Sequence, residues 1–477
     1  MRAPLFATLL VVSLAAAGPA APGFGTAAAK EPEPVGACVG TVADRPDAST
    51  VVSIQGTRTT SEGAFKEPAL LVSFAPDGSV EWIQNSTANG KWWAYDVDPL
   101  PSGNLLYATT HNRHSDVGEF DPETGEYVWV EHFGGAPDSA TNPLVGDAHD
   151  ADLFGDELVL VDKGEGHERV LAYNLTTDRV IWEWRFEDHP EDFPKSGGGP
   201  PGDWTHVNDV DRVSESLYMI SVRNFDQIVF VDRSTDEVTL TLGEDDNYDI
   251  LDEQHNPDYL RGPDGEHTVL VADSLNDRVV EYAYDETTDA WDRVWAVGGF
   301  DEPRDADRLA NGNTLVTDRR GHRVVEITPE GRAVWEVYTP YEPYDTERNA
   351  PGSNGPTMRE HGTAGQFALS NDAAFTTEEI ARCAGDLFAF AADDSGLLDS
   401  TQTFFRAENA SFDIGDQSTD SPGTESDAGS GSGSVSDSES GSGSGPDARD
   451  SSGVAVAVAA VLGFVALLGV LGYRRYR

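Results

Sequence analysis

"RDADRLANGNTLVTDRRGHRVVEITPEGRAVWEVY", residues 304–338, reads as four short strands joined by tight turns. The first carries Asp305 and Asp307 and stops at Asn311-Gly312. "TLVTD" makes the second and "RVVEIT" the third, and after Pro329-Glu330-Gly331 a fourth carries Trp335. Short β-branched and apolar runs bounded by Gly, Pro, Asn and Asp are strand chemistry. The same order recurs in "YDVDPLPSGNLLYAT" from Tyr95, "HDADLFGDELVLVDK" from His149, "NDVDRVSESLYMISVR" from Asn208 and "HNPDYLRGPDGEHTVLVADS" from His255. With Arg304, these starts lie 54, 59, 47 and 49 residues apart. Third strands follow as "VGEFD", "RVLAY", "QIVFVD" and "RVVEYAY", and Trp129, Trp182 and Trp295 mark fourth strands. Residues 50–84 add one more unit with Trp82. Six units of four antiparallel strands, with no competing helical period, predict an all-β fold, a six-bladed β-propeller.

Aligning the units separates what repeats from what varies. The second acid of each step (Asp98, Asp152, Asp211, Asp258, Asp307) recurs in five units, which predicts a scaffold role through hydrogen bonds to turn amides. The residue that opens the step changes each time: Tyr95, His149, Asn208, His255, Arg304. His206, two residues before Asn208, shares its face of the strand. A second varying column closes the next strand: Thr110, Lys163, Arg223, Ser274, Arg319. An antiparallel strand ends where its neighbour began, so both columns meet at one mouth of the central channel. Imidazoles, an amide and several cations gathered there predict an anion site.

The other histidines (His111, His114, His132, His167, His189, His267, His322, His361) fall in hydrophilic, turn-like stretches and are read as solvated. No Cys/His spacing of a zinc site occurs, so no metal ligand is assigned. No cofactor is expected, although the numerous aspartates would allow a structural Ca2+.

With 84 acidic against 32 basic residues, the 477-residue chain carries a formal charge of −52. Such a surface repels nucleic acid, and its self-repulsion suits a salt-rich, halophilic setting. Ten Trp and the repeated apolar runs exclude a disordered acidic chain.

Arg2, the apolar run from Leu5 to Ala17 and the small residues before Lys30 predict a signal peptide over 1–30. The propeller is assigned to 31–345 and a C-terminal extension packing on or near it to 346–412. Within that extension a short capped helix is expected in "TTEEIARCAGDLFAFAADD". An acidic Ser/Gly-rich disordered stalk covers 413–452. The uncharged stretch around "VAVAVAAVLGFVALLGVLGY" predicts a membrane helix over 453–473, about 30 Å long. The basic tail 474–477 then lies in the cytoplasm. The expected location is the cell membrane, single-pass, with the propeller outside. Sequons at Asn85, Asn174 and Asn409 suit glycosylation of an exported chain. Cys38 and Cys383 flank the folded region and are read as one disulfide.

"DWTHVND", "SVRNFDQ" seventeen residues after His206, and "QHNP" resemble motifs of the arylsulfotransferase (arylsulfate sulfotransferase) family, here as a haloarchaeal-type membrane-anchored member. The resemblance covers residues 50–340 and implies an exported six-bladed propeller. It implies sulfuryl transfer from a phenolic sulfate ester to a phenolic acceptor, without a nucleotide donor, through a transiently sulfated histidine. Residue by residue it points to His255 as the nucleophile and to His206, Arg223 and His149 as its catalytic partners. Asn208, Arg304, Arg319, Tyr95 and Lys163 then contact substrate. The chemistry is consistent, because a loose transition state with spread negative charge needs fixed donors more than a strong base. His149 would serve as both acid and base if its pKa lay near the ordinary imidazole value. The alternative is a non-catalytic surface propeller that binds a glycan, peptide or protein partner. A quinoprotein is a weaker rival, since it wants eight blades.

Overall fold

The computed structural model describes residues 39–370, apart from 61, 62, 92, 112, 165, 263, 264 and 350–353, together with 404–406. The leader over 1–30, the stalk, the membrane helix, the basic tail, both cysteines, Asn409 and the helix expected at 376–394 lie outside the described residues. Among those described, no helix is long and apolar enough to cross a membrane.

Six antiparallel sheets form the propeller. Four strands build blade two (Trp93–Pro99, Leu105–His111, His114–Asp121, Glu126–Phe133) and blade three (Ala151–Phe154, Glu157–Asp162, Arg169–Asn174, Arg179–Arg185). Blade four holds Val207–Arg212, Leu217–Val222, Gln227–Asp232 and Glu237–Gly243. Blade five holds His255–Arg261, His267–Asp273, Arg278–Asp285 and Ala290–Gly298. Blade six holds Pro303–Arg308, Thr314–Asp318, Arg323–Ile327 and Ala333–Tyr338. First strands of neighbouring blades contact each other around the axis.

Blade one differs from the sequence expectation. Thr50–Ile54, Leu70–Phe74 and Val80–Asn85 form only its outer three strands, and its innermost strand is Pro343–Arg348. That strand runs through residue 345, where the repeats alone end the propeller. Pairing the two ends of the ring in one sheet leaves no open inner edge, and that closure places the last strand here. Three short strands decorate the rim. Val39–Val42 pairs with the outer strand of blade six, Gly365–Ala368 lies parallel to that of blade five, and Phe404–Arg406 pairs with that of blade one.

Tryptophans on the outer strands staple one blade to the next. The indole N–H of Trp184 donates to Asp236 O at 3.0 Å, that of Trp295 to Pro329 O at 2.6 Å and that of Trp335 to Pro76 O at 3.1 Å. Each acceptor is in a hairpin turn of the following blade. A large flat ring fills the wedge between sheets while its single donor fixes the register.

At the axis, carboxylates tie the inner strands into a closed ring. Asp345 accepts from Val97 N, Asp96 from Ala151 N and Asp150 from Val210 N, at 2.8, 3.1 and 2.7 Å. Asp211 accepts from Tyr259 N, Asp258 from Arg308 N and Asp305 from Thr346 N, at 3.1, 3.2 and 3.3 Å. Each bond runs from one blade to its neighbour. The scaffold role expected of the acids therefore falls partly on the first acid of the step, and the partners are inner-strand amides rather than turn amides. The reason is geometric, since a free N–H on an inner strand faces only the next inner strand.

Candidate active site

Five of the six inner strands slip register at the mouth. The slips fall between Ala94 and Val97, Val207 and Asp209, His255 and Asp258, Pro303 and Asp305, and, in the closing strand, Pro343 and Asp345. A bulge adds one residue and re-aims its side chain. Here it turns the mouth residue and the acid after it toward the axis together, which simple alternation forbids. Left-handed backbone recurs nearby, at His206 (φ 47°), Glu253 (φ 48°), Asn256 (φ 32°) and Glu302 (φ 56°). Such conformations cost of order 1–3 kcal/mol in non-glycine residues and cluster at functional sites.

The mouth residues converge. Tyr95 stacks on His149 with ring centroids 4.0 Å apart, and His149 meets His206 edge-on at 5.2 Å. Tyr344, from the closing strand, touches Tyr95, His149 and His255 at 5.0, 5.9 and 6.1 Å.

His255 is 2% exposed, and its tautomer is fixed by its neighbours. Nδ1 lies 3.0 Å from Glu253 O and 3.0 Å from Ser274 Oγ, while the Ser274 hydroxyl donates to Pro303 O at 2.6 Å. A carbonyl only accepts, so Nδ1 carries the proton and Nε2 keeps the lone pair. Arg304 Nη1 lies 2.7 Å from Nδ1 and closer still to Nε2, to which it donates, and its Nη2 donates to Glu302 at 2.7 Å. Burial, then Arg304 and Arg223, push the His255 pKa well below the imidazole range. It is a neutral, oriented nitrogen base.

His206 Nδ1 lies 2.9 Å from Asp203 Oδ2 and 2.8 Å from Arg223 Nη1. Either contact occupies Nδ1 and leaves Nε2 for the mouth. Burial, reinforced by Arg223 and Lys163 and opposed by the Asp203 bond, lowers its pKa to about 3. Burial pushes Asp203 up, but the His206 bond, Lys163 and Arg223 outweigh it and hold that carboxyl below its ordinary value. Arg223 also pairs with Glu253. Asn208 is fully buried, donates from Nδ2 to Gln254 O at 2.9 Å, and keeps an unpartnered Oδ1.

Burial, with Lys163, His206 and Arg223, also lowers the His149 pKa well below the usual value. That corrects the expectation of an imidazole near its ordinary pKa. In the resting site His149 is a base. The structure ties two expected contacts to carboxylates: Lys163 lies 3.3 Å from Asp147 and 3.4 Å from Asp203, and Arg319 bridges Glu302 and Glu342. Asn85 is only 4% exposed, so in this fold its amide presents little surface to a glycan. Asn174 sits half-buried at a strand end, with Oδ1 accepting from Thr177.

Sequence reasoning missed Tyr344 and a column of acids. Asp147, Glu253, Glu302 and Glu342 each lie two residues before a mouth residue, and they are the counter-ions of Lys163, Arg223, Arg304 and Arg319. The signals were legible. "YDTE" from Tyr344 copies "YDVD" from Tyr95, and the offset of two repeats through the units.

The fold and mouth together define a six-bladed propeller with a polar axial site rich in histidine and arginine. Residues 81–260, under half of the chain, match the family model described as Arylsulfotransferase (ASST). The matched stretch contains Tyr95, His149, His206, Asn208, Arg223 and His255. No curated protein matches the chain. Among solved structures, a protein of unknown function from Bacteroides caccae is 13% identical, covering 67% of this chain and 98% of its own, with a TM-score of 0.42. A putative 6-phosphogluconolactonase from Bacteroides uniformis is 12% identical, covering 63% and 98%, with a TM-score of 0.39. A virginiamycin B lyase from Staphylococcus aureus is 9% identical, covering 63% and 87%, with a TM-score of 0.35.

Proposed function

We propose that the mouth moves a sulfuryl group from a phenolic sulfate ester to a phenolic acceptor through His255. The observation that carries this reading is the fixed tautomer: Nδ1 is anchored on Glu253 O and Ser274, so Nε2 presents a lone pair among arginines. Nε2 attacks sulfur, the N–S bond forms, and the S–O bond breaks with its electron pair on the phenolate. Arg304 leaves Nε2 for the sulfuryl oxygens, joined by Arg223 and the remaining N–H of Asn208 Nδ2 as fixed donors. In the second step the acceptor oxygen attacks sulfur, the pair of the N–S bond returns to Nε2, and His149 takes the phenol's proton. Because His149 is neutral at rest, the first phenolate leaves as an anion. Donors with acidic phenols are then the fastest.

The family match over residues 81–260 supports the reaction class, and the leader and C-terminal apolar stretch suggest an exported, membrane-held enzyme. The test is transfer from 4-nitrophenyl sulfate to a phenol by the full-length protein, wild type beside His255→Ala, with mass spectrometry of the protein trapped by donor alone. The expected result is a sulfated His255 and no transfer by the variant. Equal turnover by both, or a label on another residue, overturns the reading.

A further inference from the structure

Blade two departs from the other blades at one position. In all six the pairing of third and fourth strands slips once. In five of them the second residue before the slip is a buried aliphatic: Val72, Leu171, Val229, Val280 or Val325. Blade two has Gly118 there. Gly118 pairs with Tyr107 on one side and Val130 on the other, so an apolar row across the sheet lacks its middle side chain. The next row on the same face is polar, with Thr109, Asp116 and His132 paired in turn. Gln84 from the outer strand of blade one and Lys91 from the link between the two blades face these rows. A cavity of about 270 Å³ lies between them, walled by the rings of Tyr107 and Tyr127.

The polar groups of this cleft are only partly spent. Asp116 is buried, its Oδ1 lies 2.9 Å from His132 Nδ1, and its Oδ2 pairs with the Lys91 ammonium. That ammonium also lies 3.3 Å from His111 Nδ1. An ammonium has three donors and a carboxylate about four acceptor sites, so one N–H and at least one lone pair remain for a ligand. Elsewhere in the cleft the Ser86 hydroxyl donates to Gln84 Oε1 at 2.7 Å. The Tyr107 hydroxyl, 2.6 Å from Ser86 Oγ, therefore donates to Ser86 and offers a ligand no proton.

We infer that the cleft between blades one and two is a second ligand site, for a small neutral phenol whose ring lies in the gap at Gly118 and whose hydroxyl meets the Lys91–Asp116 pair. The pair decides the class. Asp116 repels an anion and Lys91 repels a cation, whereas a hydroxyl donates to the carboxylate and accepts from the ammonium. Two tyrosine rings beside a missing side chain suit a flat aromatic ring. A cavity of this size holds one ring rather than a larger ligand. The site shares no residue with the axial mouth.

The test is titration calorimetry of full-length protein with phenol, in the absence of any sulfate donor, beside benzoate, benzylammonium and toluene. Phenol is expected to bind tightest, the other three each weaker by about tenfold. A filling change at Gly118 itself is unsuitable, because a Cβ there would lie 2.5 Å from Trp129 O. Val130→Phe fills the cavity instead, and Lys91→Met removes the ammonium while leaving the walls. Each is expected to lose one phenol site while transferring sulfate from 4-nitrophenyl sulfate within about twofold of the wild-type rate. His255→Ala keeps that phenol site, so a failure of the axial reaction is told apart from a failure here. A phenol isotherm that either folded variant leaves unchanged overturns the inference. So does benzoate or benzylammonium binding as tightly as phenol.

Discussion

The same six inner strands carry two opposite chemistries a few ångströms apart. At the mouth, imidazoles and guanidiniums differ from blade to blade, and each cation is paired with a carboxylate, Glu302 serving both Arg304 and Arg319. Farther down, nearly every blade contributes the same group, a carboxylate, and neighbouring blades share it through a backbone bond. Repetition of residue type marks what holds the ring together. Repetition of location with changing chemistry marks what acts on a ligand. The boundary between the two is the register slip, which lets one strand address both.

The largest effect that tests this contrast is at the nucleophile. His255→Ala is expected to leave no measurable aryl sulfate transfer with the unfolding temperature near wild type, read from a chromogenic assay beside a melting curve. Arg223→Lys comes next. A point charge cannot reproduce a planar fork that meets His206 and Glu253 at once, so kcat should fall about 10²-fold.

A third expectation concerns pH. The folded pKa of His206, about 3, lies below its ordinary 6.5, so the unfolded chain takes up the proton first. Stability from this group is complete above pH 6.5 and is lost as pH falls toward 3. Relative to His206→Gln, wild type should lose about 2 kcal/mol between pH 6.5 and 5, measured by denaturant unfolding. A difference that stays flat across that range would mean the imidazole titrates normally.

The smallest effect belongs to the channel. Asp211→Ala orphans Tyr259 N and at the same time relieves repulsion, for a net loss of about 1 kcal/mol, with transfer rates within about twofold of wild type. A large loss of activity there would erase the distinction between mouth and channel.

Much of this was legible in the chain. The strand period and the spaced Trp residues declare the blades, and the column of Tyr95, His149, Asn208, His255 and Arg304 declares the mouth. Tyr344 was hidden because its blade is assembled from both ends of the ring. The sixth copy of the step therefore lies almost 300 residues from the strands it pairs with. Glu253, Glu302 and Glu342 looked like surface acids in so acidic a chain, and only their arginine partners distinguish them.

The sequence by itself determined the number of blades, the axial position of the varying residues and the chemistry they bring, because short-range strand periodicity and turn residues are local properties. Tertiary structure alone decided which histidine nitrogen is free, which cations are already paired and how far burial lowers the imidazoles. Those depend on carbonyls, carboxylates and rings delivered from other blades, and no local pattern records who the neighbours across the axis will be.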